Sequence, residues 1–406
     1  MKVLFLVSTF PALSETFILN QITGLIDAGH EIEIVACQKT TNSKYHPDVE
    51  KYRLMSKVTF VDVPRNNSEK LIKGLSLFLK YVLKNPRLCL EMLRFKKYGR
   101  FAFSLRPLLF VPYFSKNRNW DAVICHYGSN GLIATMYQKQ GLIDGKILTF
   151  FHGNDITGFV RKFGANIYNP LFQSKTLLLP ISNLWENKLL NLGAKSENIT
   201  IHHMGVNLNK FEYVPPELIE TKYIKVLLIG RLTAKKGIDV AIESVHYLRE
   251  KGFSVLLTVI GDGEEKENLQ NIIEKFNLED RIILKGWLTQ ETVNQYIKES
   301  TLIILPSRTA KNGDMEGIPV SLMEAMARGK LVISTYHSGI PELIKNEYNG
   351  WLVPENDSLA LAEKVEEVIS KKNLWPMISY NARRTIYEEF NIEFLNQKLI
   401  KVIQGD

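Results

Sequence analysis

Two glutamates, Glu316 and Glu324, stand in the stretch DMEGIPVSLMEAMARG of residues 314–329, one before a helix and one within it. Pro319 fits the first helical position, Val320, Leu322, Met323, Ala325 and Met326 continue as helix formers, and Gly329 ends the run. The turn at Gly317, Ile318 and Pro319 then presents backbone N–H groups at the positive end of the helix, which suits an anionic or polyhydroxylated ligand. Glu324 can reach a vicinal diol such as a ribose. Taken alone, the pair reads as an ordinary core helix with two solvated acids. The rest of the chain turns that reading toward a sugar nucleotide.

A second constellation follows the apolar run 225–229. In GRLTAKKGID, Arg231 and Lys236 lie in a loop that leads into a helix starting near Ile238. Two fixed cations at a helix start can hold a diphosphate and neutralise it as it leaves, Arg231 as a fork and Lys236 as a point charge. No Gly-Lys-Ser/Thr follows, which disfavours a nucleoside triphosphatase. In VIGDGEEKENL, Gly261 and Gly263 imitate a dinucleotide fingerprint, but Lys266 occupies the place of the third glycine, so the segment reads as a tight strand-to-helix turn. His152 in FFHGND, with Gly153 and Asp155 after it, and His126 in CHYGSNG both end candidate strands. A histidine there can bond a sugar hydroxyl or assist proton movement, though a lone histidine is more often structural. No Ser/His/Asp order, HExxH or zinc spacing offers a rival chemistry.

Short apolar runs alternate with helical periods along the whole chain, the pattern of α/β folds with parallel sheets covered by helices. Strands are expected at 2–7, 31–36, 122–125, 147–151, 176–180 and 199–202, and again at 225–229, 254–260, 281–284, 302–305 and 331–334, with helices such as 16–28 and 183–192 between them. Two doubly wound, Rossmann-like domains follow, 1–213 and 214–385, and a last helix in 386–406 whose apolar spacing suits packing back on the first. Pro215 and Pro216 mark the join, at 212–223. Ligands of such folds sit at the carboxyl ends of strands, here expected in a cleft where loops 8–16 and 152–155 face loops 231–237 and 314–319.

At 406 residues, 45% hydrophobic and 23% charged, the chain is large enough for two cores. Cys37, Cys89 and Cys125 are odd in number and lack metal or CxxC spacing, which fits a reducing cytoplasm. The apolar start is too short for a secretory signal and no run is long enough to span a membrane. The net charge of +8 is uneven: residues 65–118 hold thirteen Lys and Arg against Glu69 and Glu91. Within them Leu71, Ile72, Leu75, Phe78, Leu79, Val82 and Leu83 share one helical face, and Lys70, Lys73, Lys80 and Lys84 the other, before Pro86. Basic and aromatic residues together suit an anionic membrane surface, the inner face of the cytoplasmic membrane; the alternative is a helix packed on its own domain with its lysines in water. No nucleic-acid-binding module accompanies the charge.

Over nearly its whole length the chain resembles the retaining glycosyltransferases of the GT-B fold, family 4. EGIPVSLMEA carries the family's paired glutamates as Glu316 and Glu324, beside GRLTAKKG, IGDGEEKENL, HSGIPELI from His337 and HHMGVNLNKF from His202; STFPALSETFI is similar to the exopolysaccharide, capsule and colanic-acid-like subgroup. The resemblance implies that Arg231 and Lys236 bind the diphosphate of a UDP- or GDP-linked donor and Glu324 its ribose. Glu316, with the amides of Gly317 to Pro319, would hold the transferred sugar, the base would pack near Gly286, Trp287 and Leu288, and His152 would be the active-site histidine. It also implies retention of configuration. Many relatives carry a glycine-rich first loop where this chain has Ser8, Thr9, Ser14, Glu15 and Thr16; the last three, with His126 and Asp155, are candidates for the acceptor side. The expected reaction moves a hexose to a lipid-linked saccharide without a metal, the diphosphate charge falling to Arg231 and Lys236. The rivals are a nucleotide-sugar epimerase or hydrolase on the same fold and a non-catalytic sugar-nucleotide-binding scaffold.

Overall fold

The computed structural model describes the chain except residues 13–14, 41–44, 65, 117–118, 217–222 and 406, so Ser14 and part of the expected join lie outside the described residues. Two compact units emerge, Met1–His203 with Leu395–Asp406, and Met204–Phe394.

In the first unit, β1 (Lys2–Phe10), β2 (Glu31–Lys39), β3 (Val58–Phe60), β4 (Ala122–His126), β5 (Lys146–Phe151) and β6 (Leu177–Pro180) form one sheet in the order β3-β2-β1-β4-β5-β6. Every pairing is parallel, with Val3 opposite both Ile32 and Ala122. Leu4, Phe5, Leu6, Val123 and Ile124 are fully buried, as expected of strands covered on both faces. The sheet order reverses between β1 and β4, so the loops ending these strands lie at a topological switch point. The helix Gly128–Gln138 rests on β5 through Gly131: a Cβ there would stand 2.2 Å from Thr149 Oγ1. The last helix, Ile392–Gln404, contributes Leu395, Leu399 and Ile403 to this unit, and Lys146 Nζ donates to Val402 O at 2.7 Å.

The helix Asn67–Val82 is capped by Asn66, whose Oδ1 accepts from Ser68 N at 3.2 Å. It packs through Gly74, where a Cβ would meet Leu105 at 2.8 Å, and through the half-buried Leu77, Phe78 and Tyr81. Leu71, Ile72, Leu75 and Leu79 therefore turn outward and are 54–70% exposed. Half-buried Lys73 faces inward, donating to Asp62 O at 2.6 Å.

The second unit has β7 (Ile224–Ile229), β8 (Val255–Ile260), β9 (Ile282–Leu284), β10 (Leu302–Leu305), β11 (Leu331–Thr335) and β12 (Trp351–Val353), ordered β12-β11-β10-β7-β8-β9 and again wholly parallel. The units change over at His203–Met204 and Phe394–Leu395, where the sequence reading placed the changes at 213–214 and 385–386. Hydrogen bonds show why residues 204–214 go with the second unit: Val206 N donates to Phe390 O at 2.9 Å, Ile392 N to Val206 O at 3.0 Å, and Val214 N to Arg328 O at 3.0 Å.

Two expectations need correction. Residues 199–202 are not a strand: Thr200 and His202 donate to Leu178 O and Pro180 O, but strand pairing is confined to the bridge of Leu178 with Ile199. Edge strands β3 and β12, three residues each, were not foreseen.

Gly131→Val should destabilise the chain by about 1–3 kcal/mol through overpacking against Thr149. Urea denaturation of the two proteins measures this, and equal midpoints would show that the helix can lift from β5 without cost.

Candidate functional site

In the second unit the ends of β7, β8 and β9 are laced together by backbone. Gly230 N donates to Ile260 O at 3.0 Å, Gly261 N to Gly286 O at 2.9 Å, and Leu232 N to Asp262 O at 3.0 Å. Gly261 has φ +146°, and a Cβ on it would lie 1.8 Å from Gly230 O. Close backbone approach is thus the use of Gly261, in line with a tight turn. Gly286 ends β9 with φ +67°, Trp287 beside it is 52% exposed, and Leu288 packs on the core.

The loop 230–237 sets its two cations differently. Arg231 is exposed and its guanidinium has no partner among the described residues. Lys236 folds its stem over Gly230 and brings Nζ to 2.7 Å from Glu316 Oε2, both side chains largely buried. Lys235 pairs with Asp314 Oδ2 at 3.2 Å. Gly237, at φ +62°, lets the helix Ile238–Glu250 begin within 2.0 Å, measured from its would-be Cβ, of Pro306 O. Arg308 braces the loop, donating Nε to Ala234 O at 2.8 Å and Nη2 to Asp239 Oδ2 at 2.8 Å.

Glu316 is also held through its backbone. Its N–H donates to His337 Nε2 at 3.0 Å, which fixes the proton of that buried ring on Nδ1, 2.7 Å from Glu355 Oε1. Glu355 Oε2 in turn accepts from Thr309 N at 2.8 Å. The His337 and Glu355 roles were not read from the sequence, although HSGIPELI marked the first; Glu355 follows the unforeseen β12.

The helix Val320–Ala327 starts one residue later than expected, with Pro319 as its cap residue at φ −69° and ψ 121°. Proline has no N–H, so the turn's donors are not those of Gly317 to Pro319 together. The N–H groups of Gly317, Ile318, Val320 and Ser321 have no hydrogen-bond partner among the described residues. Four free donors thus stand at one helix start, next in sequence to Glu316. Gly329, at φ +79°, ends the helix under Tyr213 and Ser379.

The two glutamates are tuned in opposite directions. Burial pushes the Glu316 carboxyl up, but Lys236, Lys235 and His337 outweigh it and bring it down to about 2. Burial pushes Glu324 up to about 7, against Arg328, Gln290 and Lys210. One is a fixed anion; the other exchanges its proton near neutrality.

The first unit gathers its candidates at the ends of β4 and β5. Asp155 accepts from Gly128 N, His152 N and Gly153 N at 2.9–3.0 Å, so this buried carboxylate ties the two loops together. Burial raises its pKa, and those backbone donors oppose the rise. Glu15 precedes the helix Thr16–Asp27 and accepts from Tyr127 OH at 2.6 Å. His126 is fully buried, with Nδ1 3.0 Å from His152 Nε2 and Nε2 3.0 Å from Gln21 Oε1. Burial takes His152 down to about 3 and His126 well below its usual value, so both rings are neutral. Gln21 was missed; its signal was a polar residue among Ile18, Leu19, Ile22 and Leu25 on the buried face of its helix.

Residues 209–385 match the family model described as glycosyl transferases group 1. The chain is 36% identical over 409 residues to WcaL of Escherichia coli K12, named for glycosyl transfer in colanic acid biosynthesis, with 100% of both chains covered. It is 35% identical over 407 residues to the amylovoran biosynthesis glycosyltransferase AmsK of Erwinia amylovora, covering 100% of this chain and 99% of AmsK. Among solved structures, Anabaena Alr3699/HepE in complex with UDP-glucose aligns with a TM-score of 0.73 at 16% identity over 100% of both chains. Sucrose-phosphate synthase of Thermosynechococcus elongatus aligns at 0.75 and 16%, over 100% of this chain and 99% of its own. These likenesses show the fold, two parallel six-stranded sheets with interleaved helices.

Because the Glu324 carboxyl is raised in the fold, its contribution to stability is complete below about pH 4.5 and is lost as pH rises to about 7, where only the unfolded chain has already released the proton. Glu324→Gln should therefore flatten the fall in melting temperature between those values. A variant that tracks the parent across that window would show that Glu324 is not buried as a neutral acid.

Proposed function

The chain belongs to the group 1 glycosyltransferase family and has the GT-B fold, and from that premise we propose that it moves a hexose from a UDP- or GDP-linked donor to a hydroxyl of a lipid-linked saccharide during exopolysaccharide assembly. The pathway class is supported by the names of the full-length relatives, and the donor class by the UDP-glucose bound to Alr3699/HepE. The observation that carries the reading is the set of four unbonded N–H groups at Gly317, Ile318, Val320 and Ser321 beside Glu316. Such a cradle holds sugar hydroxyls and phosphate oxygens without mobile countercharge.

In this reading Arg231 meets the diphosphate, Lys236 adds a second positive charge, and Glu324 accepts from the ribose hydroxyls in its ionised form. The base lies against Gly286, Trp287 and Leu288. Charge develops on the diphosphate as the anomeric bond breaks, and the two cations stabilise it without a metal. Asp314 and Glu316 are each paired with a lysine, which supports a positioning role for Glu316 over that of nucleophile or metal ligand. Retention of configuration then follows if the departing phosphate assists deprotonation of the acceptor on the same face. His152 is assigned to the sugar, with Glu15 and Thr16 on the acceptor side.

We further infer that the outward face of the helix Asn67–Val82 seats on an anionic lipid surface, where a lipid-linked acceptor resides. Exposed Leu71, Ile72, Leu75 and Leu79 stand in a segment rich in lysine and arginine, a pairing of apolar insertion with attraction to acidic headgroups. No helix among the described residues is long and apolar enough to cross a membrane.

Arg231 has no structural partner, so Arg231→Ala should leave the melting temperature unchanged while lowering transfer at saturating donor by about 10²–10³-fold. Undiminished turnover would remove it from the diphosphate site. For the membrane surface, vesicle flotation should show the chain rising with phosphatidylglycerol vesicles and not with phosphatidylcholine ones, and Leu75→Ser with Leu79→Ser should abolish the rise. Equal recovery of parent and double variant would rule out that face.

A further inference from the structure

Gln21, His126 and His152 form an unbroken line of hydrogen bonds through the interior of the first unit. Gln21 is 1% exposed on the helix Thr16–Asp27, and His126 is fully buried at the end of β4. The contacts are 3.0 Å from Gln21 Oε1 to His126 Nε2 and 3.0 Å from His126 Nδ1 to His152 Nε2. The rings are packed as well as bonded. His126 stacks on Phe150 at 5.0 Å between centroids, and His152 meets Phe17 at 4.8 Å and Tyr127 at 4.9 Å.

A neutral imidazole has one donor and one acceptor nitrogen, so a line of this kind has a direction. An oxygen can only accept, and Gln21 Oε1 faces His126 Nε2; that nitrogen therefore carries the proton. His126 Nδ1 is then the acceptor, and His152 Nε2–H donates to it. The remaining nitrogen, His152 Nδ1, holds a lone pair. It has no hydrogen-bond partner among the described residues, and His152 is partly exposed at the end of β5. Were the amide of Gln21 turned over, every bond would reverse and Nδ1 would present an N–H instead.

We propose that Gln21 and His126 are positioning residues that hold His152 as its Nε2–H tautomer, so that Nδ1 accepts a hydrogen bond from a hydroxyl of the sugar substrate. The tautomer stands on the geometry of the first unit; the substrate contact rests on the glycosyl-transfer reading above. A purely structural line would have no need of a terminal acceptor left unpaired at the surface. Two buried polar side chains behind it raise the cost of placing it there, since each requires its partner. The direction of the line also gives a chemical preference. A lone pair selects a donating hydroxyl and repels a carbonyl or phosphate oxygen, so His152 would face the sugar and not the diphosphate.

The test uses the full chain labelled with 15N-histidine, with His152 assigned by its absence in His152→Gln. Long-range 15N–1H correlation should place the unprotonated nitrogen of His152 at Nδ1. Gln21→Leu, which removes the acceptor at similar size, should mix or reverse the tautomer and lower kcat about tenfold with little change in donor KM, the size of one lost hydrogen bond. An Nδ1–H tautomer in the parent would overturn the proposal. So would Gln21→Leu with unchanged shifts, or with altered shifts and parental kcat. If the parent transfers no sugar from any UDP- or GDP-linked donor, that failure belongs to the glycosyl-transfer reading, and the shifts alone then uphold or overturn the tautomer.

Discussion

Glu316 places a negative charge where little water reaches it, and Lys236 Nζ at 2.7 Å is what keeps it there. Desolvation opposes such a placement, and attraction at close range offsets it only when the remaining donors and acceptors are also met. Lys235 adds to that attraction from nearby, and the backbone N–H of Glu316, which donates to His337, holds the residue in place. Removal of Lys236 alone would leave an uncompensated anion, a change that costs about 3–5 kcal/mol in comparable buried pairs. The pair also joins two loops far apart in sequence, the one after β7 and the one after β10. The same contact that holds the fold thus sets the distance between a cation and the helix start at Val320.

The glycines of the second unit serve that contact. Lys236 can lie down toward Glu316 because Gly230 has no side chain where its stem passes, at 3.3 Å from a would-be Cβ. Gly237 then turns the chain within reach of Pro306 O, and Gly261 rests on Gly230 O. A side chain at either position would separate strand ends that now exchange backbone hydrogen bonds. The Arg231 side chain stands apart from this packing: it is exposed, its guanidinium has no partner among the described residues, and it is set on a braced loop.

Much of this architecture was legible in the chain. Ten of the strands have apolar runs long enough to register, and Gly329 and Ile238 marked a helix end and a helix start where the structure has them. The pattern did not single out β3 and β12, or the fate of residues 199–202, which donate to β6 but extend no ladder. Pro319 fitted the first helical position by its fixed φ, yet the structure uses it as the cap residue with an extended ψ of 121°. Of the side-chain constellations, the sequence could nominate Lys236 and Glu316 but not their pairing. His337 and Glu355 escaped because their task is to hold another residue's backbone, and no residue-type spacing encodes that. The outward turn of Leu71, Ile72, Leu75 and Leu79 was equally hidden, since periodicity defines a face without saying which neighbour covers it.

The two units differ in their electrostatics. In the second, charge is fixed: Glu316 is held down to about 2 by Lys236 and Lys235, and the Arg231 guanidinium has no partner among the described residues. That environment suits a ligand portion that is itself charged and becomes more so during reaction. In the first unit the two histidines are neutral, burial taking His152 down to about 3 and His126 well below its usual value. Neutral imidazoles bring no charge to a ligand, but they can tell a donating hydroxyl from an accepting oxygen by where the proton sits. Asp155 supports this division, since its three backbone donors are spent on shaping the two loops. A transferase for sugars on diphosphates needs both kinds of surface, one for the leaving group and one for hydroxyls.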